Sequence, residues 1–267
     1  MQPRALFFDL DHTLQDLDSA FDRALPEALQ ALGPAFRGLC SSEALRGRLD
    51  AVWPGVWQAF LDGALSEEEL YANWFGAALA DVGLSLDRET LAKGVVKTYL
   101  ERFEAHLALF DDVLPALQRI GGLEPRPLLA ILTNGPGPRQ RRRIARLGLA
   151  PFFPVQLISG ELKTAKPDPD FFRIALDRAF VRPEEAVMIG DDPRNDVVGA
   201  KEVGIRAVWL NRQGAEWPAE LAVRPDAERA TLTDAVEWCS KGFPIRHDPV
   251  REGVRVPGAP GVSHRPV

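Results

Sequence analysis

The stretch Ala5-Leu6-Phe7-Phe8-Asp9-Leu10-Asp11-His12-Thr13 decides the fold. Four consecutive apolar residues predict a strand covered on both faces, as in a parallel sheet. Two carboxylates two residues apart follow, at the strand end where open α/β sheets bind ligands. In a regular strand such residues face the same way. Like charges this close cost free energy unless a cation or a shared proton relieves them.

Working outward, further short apolar runs occur at 128–132, 155–158, 186–189 and 207–210. Helical patterns separate them. One covers 139–147. The next puts Phe171, Phe172, Ala175, Leu176, Ala179 and Phe180 on one face after an Asp168-Pro169 start. A third covers 196–203 and is stopped by Gly204. Strands alternating with helices predict an α/β fold with a doubly wound parallel sheet. The segment 16–110 breaks the rhythm and reads as an inserted all-helical unit. Leu25, Leu29 and Leu32 form one stripe, and Leu91, Val95, Tyr99 and Phe103 another. Ser66 to Glu69 resembles a capping box. Trp53, Trp57, Trp74 and Phe75 read first as packing; the sharper reading has one of them lining a substrate pocket. The expected division is a discontinuous core (1–15 and 111–240), a helical cap (16–110) and an irregular tail (241–267) rich in Pro, Gly and Arg.

The composition is that of a globular chain, 46% hydrophobic and 26% charged. A net charge of −6 argues against a nucleic-acid partner. The cysteines, Cys40 and Cys239, lie far apart, so no disulfide framework is expected. No apolar run is long enough to span a bilayer, and the strand at residue 5 leaves no room for a signal peptide. A soluble cytoplasmic protein is the expectation; the sequence leaves the oligomeric state open.

Four constellations sit at strand ends. Asp9 and Asp11 could supply a nucleophile, a proton carrier or ligands for a hard cation. Thr133-Asn134-Gly135 could cradle an anion at a helix start, or be an ordinary turn. Lys166, one of only six lysines against 26 arginines, could neutralise a phosphate or a carboxylate, or be a surface lysine beside a helix-initiating turn. Asp191, Asp192 and Asp196 form a second acidic cluster that could complete a magnesium site. Helix capping explains Asp192 or Asp196 better than Asp191.

Each signal is weak alone, but all four fall in order at the ends of expected parallel strands. With FFDLDHT, LTNG, KPDPDFF and GDDPRND as its four motifs, the chain from about Arg4 to Trp238 resembles the haloacid dehalogenase (HAD) superfamily. The helical insert is similar to that family's C1-type cap. The resemblance implies a Rossmann-like core with Asp9 as nucleophile and Asp11 as general acid/base. It further implies Mg²⁺ held by Asp9, the Asp11 backbone carbonyl and Asp191, with Asp196 a weaker or water-mediated ligand. Thr133 and Asn134 would bind the transferring phosphoryl group, and Lys166 would balance charge. An acid at Asp11 favours phosphatases over the family's dehalogenases, which lack it. The function implied is Mg²⁺-dependent hydrolysis of a small phosphorylated metabolite through an aspartyl-phosphate. A sugar-phosphate phosphomutase is the alternative, with a non-catalytic phosphate- or nucleotide-binding protein behind it. Nothing in 16–110 names the substrate.

Overall fold

The computed structural model describes residues 2–30, 33 and 41–241. Leu32, Cys40 and the expected tail beyond residue 241 lie outside that set. Six parallel strands form one sheet: β1 (Ala5–Phe8), β2 (Leu128–Thr133), β3 (Val155–Ile158), β4 (Ala186–Gly190), β5 (Arg206–Leu210) and β6 (Ala227–Arg229). Their spatial order is β3-β2-β1-β4-β5-β6, so β1 lies centrally between β2 and β4.

The helices in chain order are α1 (Leu17–Gln30), α2 (Ser42–Leu61), α3 (Glu67–Asp81), α4 (Arg88–Thr90), α5 (Lys97–His106), α6 (Val113–Gly121), α7 (Gly137–Arg146), α8 (Pro169–Ala179), α9 (Gly199–Glu202) and α10 (Leu232–Ser240). Two π-helical stretches, Leu91–Val96 and Pro193–Val198, lead into α5 and α9.

The apolar run of β1 is explained by burial on two sides. Leu6 and Phe8 join Val113, Leu117, Ile144 and Val236 under α6, α7 and α10. Ala5 and Phe7 join Phe171, Phe172, Ala175 and Ala200 under α8 and α9. Covered faces leave no solvent side for polar alternation. The helices between Leu17 and His106 gather their own apolar cluster, built on Phe21, Leu45, Trp74, Phe75, Tyr99 and Phe103. Ser66 caps α3 in a reciprocal box with Glu69, as its spacing suggests.

Three differences from the sequence reading have physical causes. The strand β6 has one apolar residue in Ala-Glu-Arg. It is an edge strand held by backbone bonds such as Asn211 N–H to Arg229 O, at 2.8 Å. The third core helix begins earlier than 196, because Asp192 accepts the N–H groups of Arg194 and Asn195 and starts the turn at Pro193. Finally, β1 ends at Phe8, so Asp9 and Asp11 stand in the loop beyond it and do not obey strand alternation. Among the described residues no helix is long and apolar enough to cross a membrane.

Candidate active site

The C-terminal ends of β1, β2 and β4 converge on one buried ammonium group. Lys166 Nζ donates to Asp9 Oδ1 and to Asp196 Oδ1, at 2.6 Å each. All three side chains are buried. The lysine is placed by its backbone: Asn134 Nδ2 donates to Lys166 O at 2.8 Å, and Lys166 N–H donates to Asn134 Oδ1 at 2.9 Å. Asn134 thus holds the lysine loop through both ends of its amide. Asp168, two residues on, caps α8 through the N–H of Asp170 and fixes where that loop ends.

Asp191 completes the acidic side. Oxygens of Asp9, Asp191 and Asp196 lie within 4.8 Å of one another. Asp191 Oδ1 accepts from Thr13 Oγ1 at 3.1 Å, and its carbonyl accepts from the Trp209 indole at 2.8 Å. Asp196 Oδ2 accepts from Asp192 N–H at 3.0 Å. Gly190 permits this approach, since a Cβ there would lie 2.2 Å from Asp196 Oδ2.

Burial pushes the Asp9 carboxyl well above the ordinary range; Lys166 opposes the shift, and Asp196 and Asp191 add to it. Burial likewise raises Asp191, to about 7, with Asp196 contributing. Asp196 is raised by burial against the pull of Lys166. Burial pulls the Lys166 ammonium down, but Asp196 and Asp9 override it and hold it above its usual value. One ammonium therefore faces three crowded carboxylates. This all-oxygen donor set is suited to a hard divalent cation, which would relieve the remaining repulsion.

Asp11 has different surroundings. It is partly exposed, its Oδ1 accepts from Gln15 Nε2, and its Oδ2 accepts from Gln140 Nε2 at 3.1 Å. Arg143 Nη1 stands 3.8 Å from Oδ1. The Asp11 carboxylate does not join the three converging acids. Gln140 also donates to Thr133 Oγ1 at 2.9 Å and to Asn134 O at 3.3 Å, so one amide ties the end of β2 to Asp11. Thr133 is fully buried at that strand end.

All seven residues singled out from the sequence, Asp9, Asp11, Thr133, Asn134, Lys166, Asp191 and Asp196, thus belong to one connected region. Thr13, Gln15, Gln140, Arg143 and Trp209 were not foreseen. Thr13 lies inside the first quoted stretch, but a single amide in a loop or helix, an arginine on a helix or a tryptophan in a buried strand carries no signature of its own.

A family model described as haloacid dehalogenase-like hydrolase matches residues 3–204. A phosphoserine phosphatase of Thermus thermophilus is 52% identical over 84 residues, a match spanning 32% of this chain and 34% of that one. The pyrimidine 5′-nucleotidase PynA of Streptococcus pneumoniae is 31% identical over 207 residues, covering 77% of this chain and 83% of its own length. The structure of the HAD-hydrolase YfnB from Bacillus subtilis, solved bound to magnesium, superposes with a TM-score of 0.72 at 23% identity. It covers 90% of this chain and 99% of that one. The chain belongs to the haloacid dehalogenase-like hydrolase family. Within that family it is an enzyme of the phosphatase type.

Proposed function

We propose that the protein hydrolyses phosphate monoesters of small metabolites with the help of Mg²⁺. The observation that carries this reading is the pairing of a buried, lysine-bound carboxylate, Asp9, with a separate, accessible carboxylate, Asp11, held by two amides. The two acids sit in unlike environments, the usual way that one site obtains two carboxylate roles.

An Asp9 oxygen attacks phosphorus and forms an acyl-phosphate bond as the ester P–O bond breaks. Asp11 delivers its proton to the departing alkoxide. Asp11 then takes a proton from water as the water oxygen attacks the same phosphorus. The acyl-phosphate bond breaks, inorganic phosphate leaves and the Asp9 carboxylate is restored. Thr133 and Lys166 border the phosphoryl position. Lys166 offsets negative charge on Asp9 and on the transferring group. Asp9 and Asp191 would hold the metal, with Asp196 close behind. When bound it supplies positive charge that keeps Asp9 ionised and draws in phosphate. Residues 16–110 act as the cap that limits water and selects the leaving group.

The test is turnover of p-nitrophenyl phosphate. Asp9→Asn should abolish it, and a chelator should do the same to the native protein. Undiminished turnover in either case refutes the mechanism. Free phosphate as the product marks hydrolysis; an isomeric sugar phosphate marks mutase action.

A further inference from the structure

Beside Asp11 a cavity of about 350 Å³ opens between the helical cap and the strand ends. That volume lies toward the lower end of ligand-sized pockets, about 300–1,000 Å³. It is bordered by Asp11, Asn134 and Gly135 on one side and by Phe21, Trp53, Trp57, Tyr71, Trp74 and Tyr99 on the other. The tryptophans are not a random apolar lining. Trp53 and Trp57 are stacked, with centroids 5.5 Å apart and planes 17° off parallel. Trp74 meets Trp53 edge-on at 4.8 Å, and its indole N–H is fixed on Leu49 O at 2.7 Å. Trp53 and Trp57 remain half-buried, and Phe60 stacks on Trp57 with centroids 5.3 Å apart, so Trp53 is the tryptophan of the pair argued to meet a ring.

The charges around the cavity are already matched. Arg46 pairs with Asp18 and Asp22 and lies 4.7 Å over the Phe21 ring. Arg139 pairs with Glu67 at 2.7 Å and lies 4.5 Å over Tyr71. Arg143 pairs with Glu104 at 2.9 Å and lies 5.2 Å over Phe103. A carboxylate on the leaving group would have to compete with these partners and would also meet Asp18 and Asp50 on the cavity wall.

Resting on the hydrolase reading, we infer that this cavity receives an uncharged planar ring. The substrate class is therefore a phosphate monoester whose alcohol carries such a ring, as a nucleoside does, rather than a phosphorylated amino acid or hydroxy acid. Ring stacking on aromatic side chains contributes about 1–3 kcal/mol by alanine substitution, roughly 5- to 150-fold in affinity.

The test compares kcat/KM with Mg²⁺ for uridine 5′-monophosphate, ribose 5-phosphate, O-phosphoserine and acetyl phosphate. The nucleotide should exceed ribose 5-phosphate and O-phosphoserine by at least about fivefold, and Trp53→Ala should bring the nucleotide-to-ribose ratio toward one. A second measurement avoids turnover: uridine 5′-monophosphate should quench tryptophan fluorescence of Asp9→Asn more effectively than ribose 5-phosphate. Hydrolysis of ribose 5-phosphate as efficient as that of the nucleotide, or with O-phosphoserine preferred, overturns the cavity assignment and leaves the hydrolase reading standing. Ring-dependent quenching with no turnover of any ester does the reverse.

Discussion

Replacing Gly190 by alanine probes how tightly the acidic cluster is built. The added Cβ would lie 2.2 Å from Asp196 Oδ2, 2.3 Å from its Cγ and 2.6 Å from its Cβ. Unstrained carbon contacts sit at about 3.5–4.0 Å, so the carboxylate must retreat by roughly 1 Å or more. Its bonds to Lys166 Nζ at 2.6 Å and Asp192 N–H at 3.0 Å then pass out of range. Overpacking of this kind costs about 1–3 kcal/mol. Loosening one arm of a buried ion pair adds to it, although Asp9 still holds the lysine. The entropy that alanine removes from the unfolded chain works in the other direction and is smaller, about 0.4–1 kcal/mol. A net loss of about 2–4 kcal/mol lowers Tm by roughly 5–15 °C for a domain of this size. Displacing Asp196 should also raise the Mg²⁺ concentration for half-maximal turnover by about 10–100-fold, the cost of disturbing groups around a metal. Thermal melts without metal and a Mg²⁺ titration of p-nitrophenyl phosphate hydrolysis measure both. An unchanged Tm together with an unchanged Mg²⁺ response refutes the reasoning.

Other outcomes follow from the same geometry. Gln140→Leu removes the donor shared by Asp11, Thr133 and Asn134; kcat should fall about tenfold, the worth of one such bond, with KM moved less, and a change in KM alone contradicts the assigned role. Arg139→Ala breaks the 2.7 Å contact between α7 and Glu67 of the helical cap; KM should rise roughly 3- to 30-fold, with kcat less affected, as steady-state kinetics at low salt would show. The raised carboxyl of Asp191, at about 7, means that the folded state keeps a proton the unfolded chain releases near pH 4. That contribution is complete below pH 4 and is lost as pH rises through 7. The metal-free protein should thus show a lower urea midpoint at pH 8 than at pH 5, and added Mg²⁺ should narrow the gap. An equal or higher midpoint at pH 8 without metal contradicts the crowded-acid description.

The core was legible because its strands are buried on both faces. Runs such as Leu128 to Leu132 have no other economical explanation, and β1 to β5 fall where the apolar residues stand. The strand β6 was not legible, since an edge strand needs backbone pairing and little apolar burial. Helices α6 and α10 do carry amphipathic patterns, in Val113, Ala116, Leu117 and Ile120 and in Leu232, Ala235, Val236 and Cys239, that went unread. At the site, acids and a scarce lysine at strand ends were visible as types in places. Their partners were not, because Gln140 reaches Asp11 across 129 positions and Arg212 reaches Thr13 O across 199. Trp209 looked like core; its indole N–H fixes the Asp191 carbonyl. Asn134 reads from the sequence as a phosphate ligand; its amide also holds the Lys166 backbone, a partner 32 positions away.

The central claim is that Asp9 carries the phosphoryl group. The direct measurement is acid quenching of Asp11→Asn during turnover of p-nitrophenyl phosphate, followed by mass spectrometry of the peptide containing residues 5–13. Loss of the group that activates water should slow the second step by about 10²–10⁴-fold. The account predicts near-stoichiometric p-nitrophenol release in a burst and a phosphoryl group on Asp9. Turnover with no burst and no modified Asp9, or a phosphoryl group on a different residue, would contradict it.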